Sequence, residues 1–199
     1  MQNIEQISGK AVGLPGEDMD TDRIIPARYL RSLTFEKLGQ HVFEDDRMDY
    51  ANRGHLHPLD RPEHKGARIL LVGANFGCGS SREHAAQALR RYGIEAIVGL
   101  SYGEIFAGNS VSVGMPCVIA AEESLNEMMH LAEASPECDF VVDLASLEVR
   151  AMGHRWEVFL SEGMRKQFRT GAWNPIAVLR EASEQIEKLA AALPYMAWS

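Results

Sequence analysis

One stretch constrains this chain more than any other: Asn75-Phe76-Gly77-Cys78-Gly79-Ser80-Ser81-Arg82-Glu83-His84. Before it, Ala67 to Gly73 is a short apolar run of the kind that forms a buried strand. After it, Ala85 to Gly93 is rich in helix formers and closed by a glycine suited to the C′ position. The order is strand, glycine-rich turn, helix start. The first amides of a helix lack intrahelical partners, and the helix dipole adds partial positive charge there. Glycines let the backbone approach a ligand, and two hydroxyls with a guanidinium complete an anion site with chemistry in reach.

What the stretch lacks narrows the anion. A phosphate loop places Lys after its last Gly, where this chain has Ser80. A dinucleotide fingerprint needs a third small residue where Arg82 stands. A nucleophile elbow needs Gly on both sides of its Ser, and Arg82 or Glu83 breaks that frame. A planar, bidentate cation beside two serines suits a carboxylate. The same residues also read as a serine N-cap, with Glu83 complementing the dipole in the first turn.

Three segments together resemble the swivelling domain of the aconitase superfamily. Gly77 to His84 is similar to its signature G-x-G-S-S-R-E-H; Asp20 to Leu30 is a second match. Phe106-Ala107-Gly108-Asn109-Ser110, with Gly114 and Pro116, resembles the segment after the next strand. Order, spacing and the length of 199 residues resemble the free-standing small subunits of 3-isopropylmalate dehydratases, from about Gly9 to Arg169. The resemblance implies an α/β fold, a swivelling β/β/α domain with a central, mostly parallel sheet or barrel and flanking helices. It implies a hydro-lyase that isomerises 2-isopropylmalate and 3-isopropylmalate in leucine biosynthesis, active only with a large subunit. Homoaconitase-, citramalate/citraconate- and dimethylmalate-type small subunits are the alternatives within it.

The resemblance also implies roles. Ser80 is the general base; Ser81 and Arg82 hold a substrate carboxylate. Asp22 pairs with a catalytic histidine of the cluster-bearing part, across a subunit interface; otherwise it is a turn or N-cap aspartate. Arg28 and Arg31, on either side of Tyr29-Leu30, are implied substrate-binding residues, and Arg31 lies in the stretch just after Tyr-Leu that lines the substrate pocket in two-chain relatives. A cation at Arg31 suits a distal carboxylate, whereas isopropylmalate presents an apolar branch. An exposed, solvated arginine is the other reading. His84 reads as a helix-surface or structural residue.

The family's chemistry depends on a [4Fe–4S] cluster. Here Cys78, Cys117 and Cys138 are widely spaced, with no C-x-x-C pair. That pattern fits a reducing compartment and argues against both a disulfide framework and a cluster held by this chain. The cluster is therefore expected on the large subunit of a heterodimer or heterotetramer, with no metal or cofactor on this chain. Cys78 reads as a small turn residue. A formal net charge of −8 argues against nonspecific binding to nucleic acid or an anionic membrane. No apolar run is long enough to span a bilayer and the start carries no signal peptide, so a cytoplasmic location is expected.

The chain reads as one domain over residues 1–199. Lys10 to Leu14 is a first strand, followed by an acidic loop from Pro15 to Asp22. Pro26 to Leu33 begins a helix or ordered turn, and Phe35 to Asp46 is a short helix and then polar loop. Residues 45–65, rich in His, Pro, Asp and Arg without periodicity, are expected to be a mobile lid. His55, His57, Asp60 and His64 match no named metal spacing. From Ala67 to Ala121 the pattern alternates strand and helix, which means parallel pairing. Glu122 to Ala134 is a helix whose Leu125, Met128, Met129 and Ala132 stripe is core. Asp139 to Leu160 reads as strands turning at Met152-Gly153-His154. A helical extension over 161–199 has one helix ending at Gly171 and a last one over Ile176 to Leu193.

Two other function classes remain at this level. A serine hydrolase lacks an elbow or a Ser-His-Asp order. A noncatalytic carboxylate- or phosphate-binding regulatory module would bind its ligand unaided.

Overall fold

The computed structural model describes residues 3–31, 34–79 and 82–174, with scattered positions (179–180, 182–183, 187 and 193) beyond them. Seven strands close into a barrel in the order β1-β2-β3-β4-β7-β6-β5. They are β1 Gln6–Leu14, β2 Ile69–Val72, β3 Ala96–Gly99, β4 Cys117–Ala120, β5 Asp139–Asp143, β6 Glu148–Ala151 and β7 His154–Phe159. The four-residue strands β2 and β3 are buried at every position. Their near-continuous apolar sequence is what a parallel strand covered on both faces requires.

The barrel has two unlike halves that share β1. Ala11 to Leu14 pair in parallel with β2, while Gln6 to Lys10 pair antiparallel with β5. Strands β2, β3 and β4 continue the parallel half; β5, β6 and β7 form antiparallel hairpins. Closure on the far side rests on two residue pairs, Ile119 with Phe159 and Ala120 with Val158. The β6–β7 turn uses Met152 (φ +47°) and Gly153 (φ +84°), the paired left-handed geometry of a tight hairpin.

Alternation along the parallel strands divides the core in two. Val12, Leu70, Ile97 and Cys117 share one cluster with α3 (Glu83–Tyr92), whose Ala85, Ala86, Ala88 and Leu89 are buried. Ala11, Ile69, Leu71, Val98 and Val118 share the other with Phe140, Val142, Val149 and Trp156 of the antiparallel half. Leu125, Met128 and Ala132 of α5 (Glu122–Ala134) join this second cluster, as the apolar stripe predicts. Met129 is partly buried beside Gly13. No helix among the described residues is long and apolar enough to cross a membrane.

The remaining helices are α1 (Thr21–Ile24), α2 (Glu44–Asn52), α4 (Glu104–Ser112) and α6 (Glu162–Thr170). Helix α6 starts on the Ser161 cap and stops at Gly171 (φ +78°), within a residue of expectation. The helix expected over Ile176 to Leu193 lies outside the described residues.

Residues 45–65, expected as a mobile lid, carry regular structure. The stretch holds all of α2 beyond its first residue and two 3-10 turns, Pro58–Asp60 and Pro62–His64. Leu59, His57 and His64 are buried, and Arg47 is paired with Asp60. Nδ1 of His57 accepts the Leu59 amide at 3.2 Å, and the His64 ring nitrogen lies 2.9 Å from the Pro58 carbonyl.

Burial holds the His57 imidazole down to about 4. Unfolded chain takes up a proton there as pH falls through the ordinary value of 6.5, while the folded protein does so only near 4. Its contribution is thus complete above pH 6.5 and lost on acidification through this window, in total on the order of 2 kcal/mol. Urea unfolding at pH 7 and pH 4.5 should show a smaller acid loss for His57→Gln than for wild type. An identical loss would remove His57 from the acid response.

Candidate active site

The glycine-rich stretch leaves the carboxyl end of β2, where open parallel sheets present ligand-binding loops. Loops after β1 and β3 meet it there. On one side Gly77 N donates to Met19 O at 2.7 Å, Thr21 N to Cys78 O at 3.0 Å and Asp18 N to Ala74 O at 3.0 Å. On the other, Phe76 N donates to Ser101 O at 3.1 Å and Gly103 N to Phe76 O at 2.9 Å. These bonds make the turn a fixed platform.

Side chains reinforce it. Asn75, in the left-handed region (φ +55°), donates from Nδ2 to Asp18 Oδ1 at 2.7 Å, and its amide donates to Ser101 Oγ at 2.8 Å. Beneath the turn, Phe106 of α4 stands edge-on to Phe76, with centroids 5.3 Å apart. Gly77 (φ +73°) lies so close to the Phe106 ring that a Cβ would overlap it. A Cβ at Gly103 would lie 2.5 Å from the Gly77 carbonyl oxygen. Both glycines are there because no side chain fits.

Arg82 is the N-cap residue of α3, extended at φ −127°, and its side chain makes no capping bond. The cap position read for a serine therefore falls to Arg82, whose guanidinium is turned to a neighbouring helix rather than to its own. Nη1 of Arg82 donates to Asp22 Oδ1, an ion pair in which Arg82 is largely covered (16% exposed) and Asp22 is half exposed (49%). Asp22 sits on α1, which exists because Asp20 accepts the Arg23 amide at 2.8 Å as its N-cap. Sixty residues of sequence separate the two members of this pair. Ser80 and Ser81 lie outside the described residues.

Burial, then the charges of Asp20 and Asp18, push the Cys78 thiol up. It is a protonated turn residue at neutral pH, not a thiolate. Cys117 is buried and pushed up to about 12, and Cys78, Cys117 and Cys138 are free thiols. Among the described residues no three His, Cys, Asp or Glu side chains group to hold a metal ion. His84 packs edge-on to Phe35 at 5.1 Å, and Ser110 is buried, its Oγ donating to Phe106 O at 2.9 Å.

Arg28 and Arg31 lie on the 3-10 turn Ala27–Arg31. Arg28 is engaged by α2, donating to Asp45 Oδ1 at 2.7 Å and Glu44 Oε2 at 2.9 Å. Arg31 is exposed and has no ion-pair partner among the described residues. Sequence reasoning missed Asp18, Ser101 and Asn75 as the latches of the platform and Asp20 as a helix cap. Asn75 carried a usable signal, since Asn tolerates the left-handed region; the others had none.

The aconitase C-terminal domain family matches residues 1–122. The chain is similar to the 3-isopropylmalate dehydratase small subunit of Thermus thermophilus, 46% identical over 98% of this chain and 97% of that protein. It is 42% identical to the one from Synechocystis sp., over 100% of this chain and 98% of that one. The crystal structure of 3-isopropylmalate dehydratase (leuD) from Methanocaldococcus jannaschii is similar too, with a TM-score of 0.66 and 25% identity. That match covers 92% of this chain and 98% of that one.

Proposed function

The chain belongs to the aconitase C-terminal domain family, among the 3-isopropylmalate dehydratase small subunits, and on that premise we propose the following function. It is the small subunit of a hydro-lyase that interconverts 2-isopropylmalate and 3-isopropylmalate by dehydration and rehydration, a step of leucine biosynthesis. The observation that carries this is the Asp22–Arg82 pair at the convergence of three strand-end loops, in a chain that matches these small subunits end to end.

In this reading a proton leaves the carbon next to a substrate carboxylate, and hydroxide leaves the adjacent carbon. A [4Fe–4S] cluster on the large subunit would supply the Lewis acid that a departing hydroxide needs. This chain handles the proton and the carboxylate. Ser80 is the base, and its alkoxide is stabilised by the Ser81 and Arg82 amides, the α3 dipole and the Arg82 charge. Arg82 and Ser81 hold the carboxylate, which fixes the carbon acid beside Ser80. Asp22 exchanges its contact with Arg82 for a histidine of the large subunit. The cation at Arg31 favours a second reading, in which a substrate branch ending in a carboxylate is also accepted.

Arg82→Lys tests the carboxylate site. In a complex reconstituted with a cluster-bearing large subunit, kcat/KM should fall about a hundredfold, because lysine cannot reproduce the bidentate fork. Normal KM and kcat would contradict the role. Calorimetry on the chain alone separates the binding-module alternative: tight carboxylate binding that gains nothing from a partner would support the module.

A further inference from the structure

No residue of the turn Ala27–Arg31 is fully buried, although Tyr29 packs partly buried against the core, so polar contacts share in fixing it. They come from the first turn of α2. Glu44 Oε2 accepts from the Tyr29 hydroxyl at 2.5 Å and from Arg28 Nη2 at 2.9 Å, and lies 3.4 Å from His41 Nδ1. The Tyr29 ring stacks on His41 with centroids 4.0 Å apart and planes 18° from parallel. Asp45 takes the other side of the Arg28 guanidinium, and Asp46 takes Arg23 at 2.7 Å. The three acids of one helix turn thus each hold a group from the Arg23 to Tyr29 stretch.

Glu44 suits the dipole of its own helix, but its carboxylate is spent elsewhere. The N-cap of α2 is Phe43, left-handed at φ +52° and without a side-chain cap, and the Glu44 carboxylate reaches across to the neighbouring turn. The Tyr29 hydroxyl and the Arg28 charge hold the Glu44 carboxyl below the usual carboxylate range, and the same bond pushes the Tyr29 hydroxyl up. Such half-exposed polar bonds add little to global stability. What they fix is where the turn, and Arg31 at its end, can sit.

We propose that Glu44 is a positioning residue for substrate selection, acting through Tyr29 and Arg28 to hold Arg31 at the substrate's branch. This rests on the reading above that residues next to Leu30 line the pocket. Misplacing a binding group by a fraction of an ångström weakens binding far more than it unfolds a surface turn.

The test uses full-length Glu44→Ala, Glu44→Gln and Tyr29→Phe, the Glu44→Ala/Tyr29→Phe double variant and Arg31→Leu, each reconstituted with the large subunit. Substrates are isopropylmalate and an analogue whose branch ends in a carboxylate. Glu44→Ala should raise KM roughly five- to tenfold with a smaller change in kcat, and should shift the kcat/KM ratio between the substrates. Glu44→Gln, which keeps an acceptor for Tyr29, should recover part of the loss. The double variant should be no worse than Glu44→Ala, since both remove one shared contact. Hydrogen exchange of residues 27–31 in the unassembled chain should quicken in Glu44→Ala while the melting temperature stays within a few degrees. Wild-type KM and ratio in Glu44→Ala would overturn the inference, as would additive losses in the double variant. An unchanged ratio in Arg31→Leu, with quickened exchange in Glu44→Ala, would instead show that the pocket reading has failed and that Glu44 anchors a turn without a part in selection.

Discussion

Alanine at Ser80 is expected to abolish turnover of the reconstituted complex, by a factor on the order of 10²–10⁴, while assembly and fold persist. The proposed reaction removes a weakly acidic proton from carbon, and the described groups nearest the turn are held in other contacts. The Cys78 thiol is pushed up by burial and by Asp20 and Asp18, and in the proposed complex Asp22 is taken up by a histidine of the large subunit. A serine is a weak acid, so its usefulness depends on amides and a guanidinium that favour the alkoxide. The variant keeps all of these and removes only the oxygen. Substrate binding should survive, measured as KM or as the inhibition constant of an unreactive dicarboxylate. Turnover within threefold of wild type would take Ser80 out of the chemistry.

Gly77→Ala should damage stability and catalysis together. The residue sits at φ +73°, where a Cβ is strained, and the added methyl would overlap the ring of Phe106. That ring cannot give way, because it is 2% exposed and packs on buried Phe76. Strain and overpacking together cost about 2–4 kcal/mol, readable as a lower urea midpoint. The protein that still folds must lift the turn off its floor, displacing Arg82 beyond it. A shift of about 1 Å is worth roughly a hundredfold in turnover. Gly108→Ala is the control on the same floor helix: its added Cβ meets nothing within 4 Å, and it should be neutral or stabilising by up to about 1 kcal/mol. Equal midpoints for Gly77→Ala and Gly108→Ala would refute the packing argument.

Local sequence carried the parallel half of the fold. Ile69-Leu70-Leu71-Val72 reads as a strand because both of its faces are covered. Gly93, Ser161 and Gly171 mark helix ends by ordinary capping chemistry. Helix α2 left no such trace: none of its residues is buried, so it has no apolar periodicity to read. It stands on acids that suit its own dipole and on cations supplied by Arg23 and Arg28. The four-residue α1 was hidden for a related reason, since Asp20 reads as part of an acidic loop before it reads as a cap. Barrel closure was equally invisible, because β1 uses its two ends for different partners and nothing in nine residues announces that. Arg82 could be singled out from its neighbours in sequence. Its contact with Asp22 could not, because only the folded sheet brings the loops after β1 and β2 together.

That contact has a consequence for the subunit before it meets its partner. A carboxylate tethered within reach of the guanidinium competes with every dissolved organic acid at a high effective concentration. An unassembled copy is therefore its own occupant, and metabolites in solution find the cation already neutralised. Under the proposed function the position opens to them when the large subunit draws the aspartate away, so capture of the acid and completion of the enzyme become the same event.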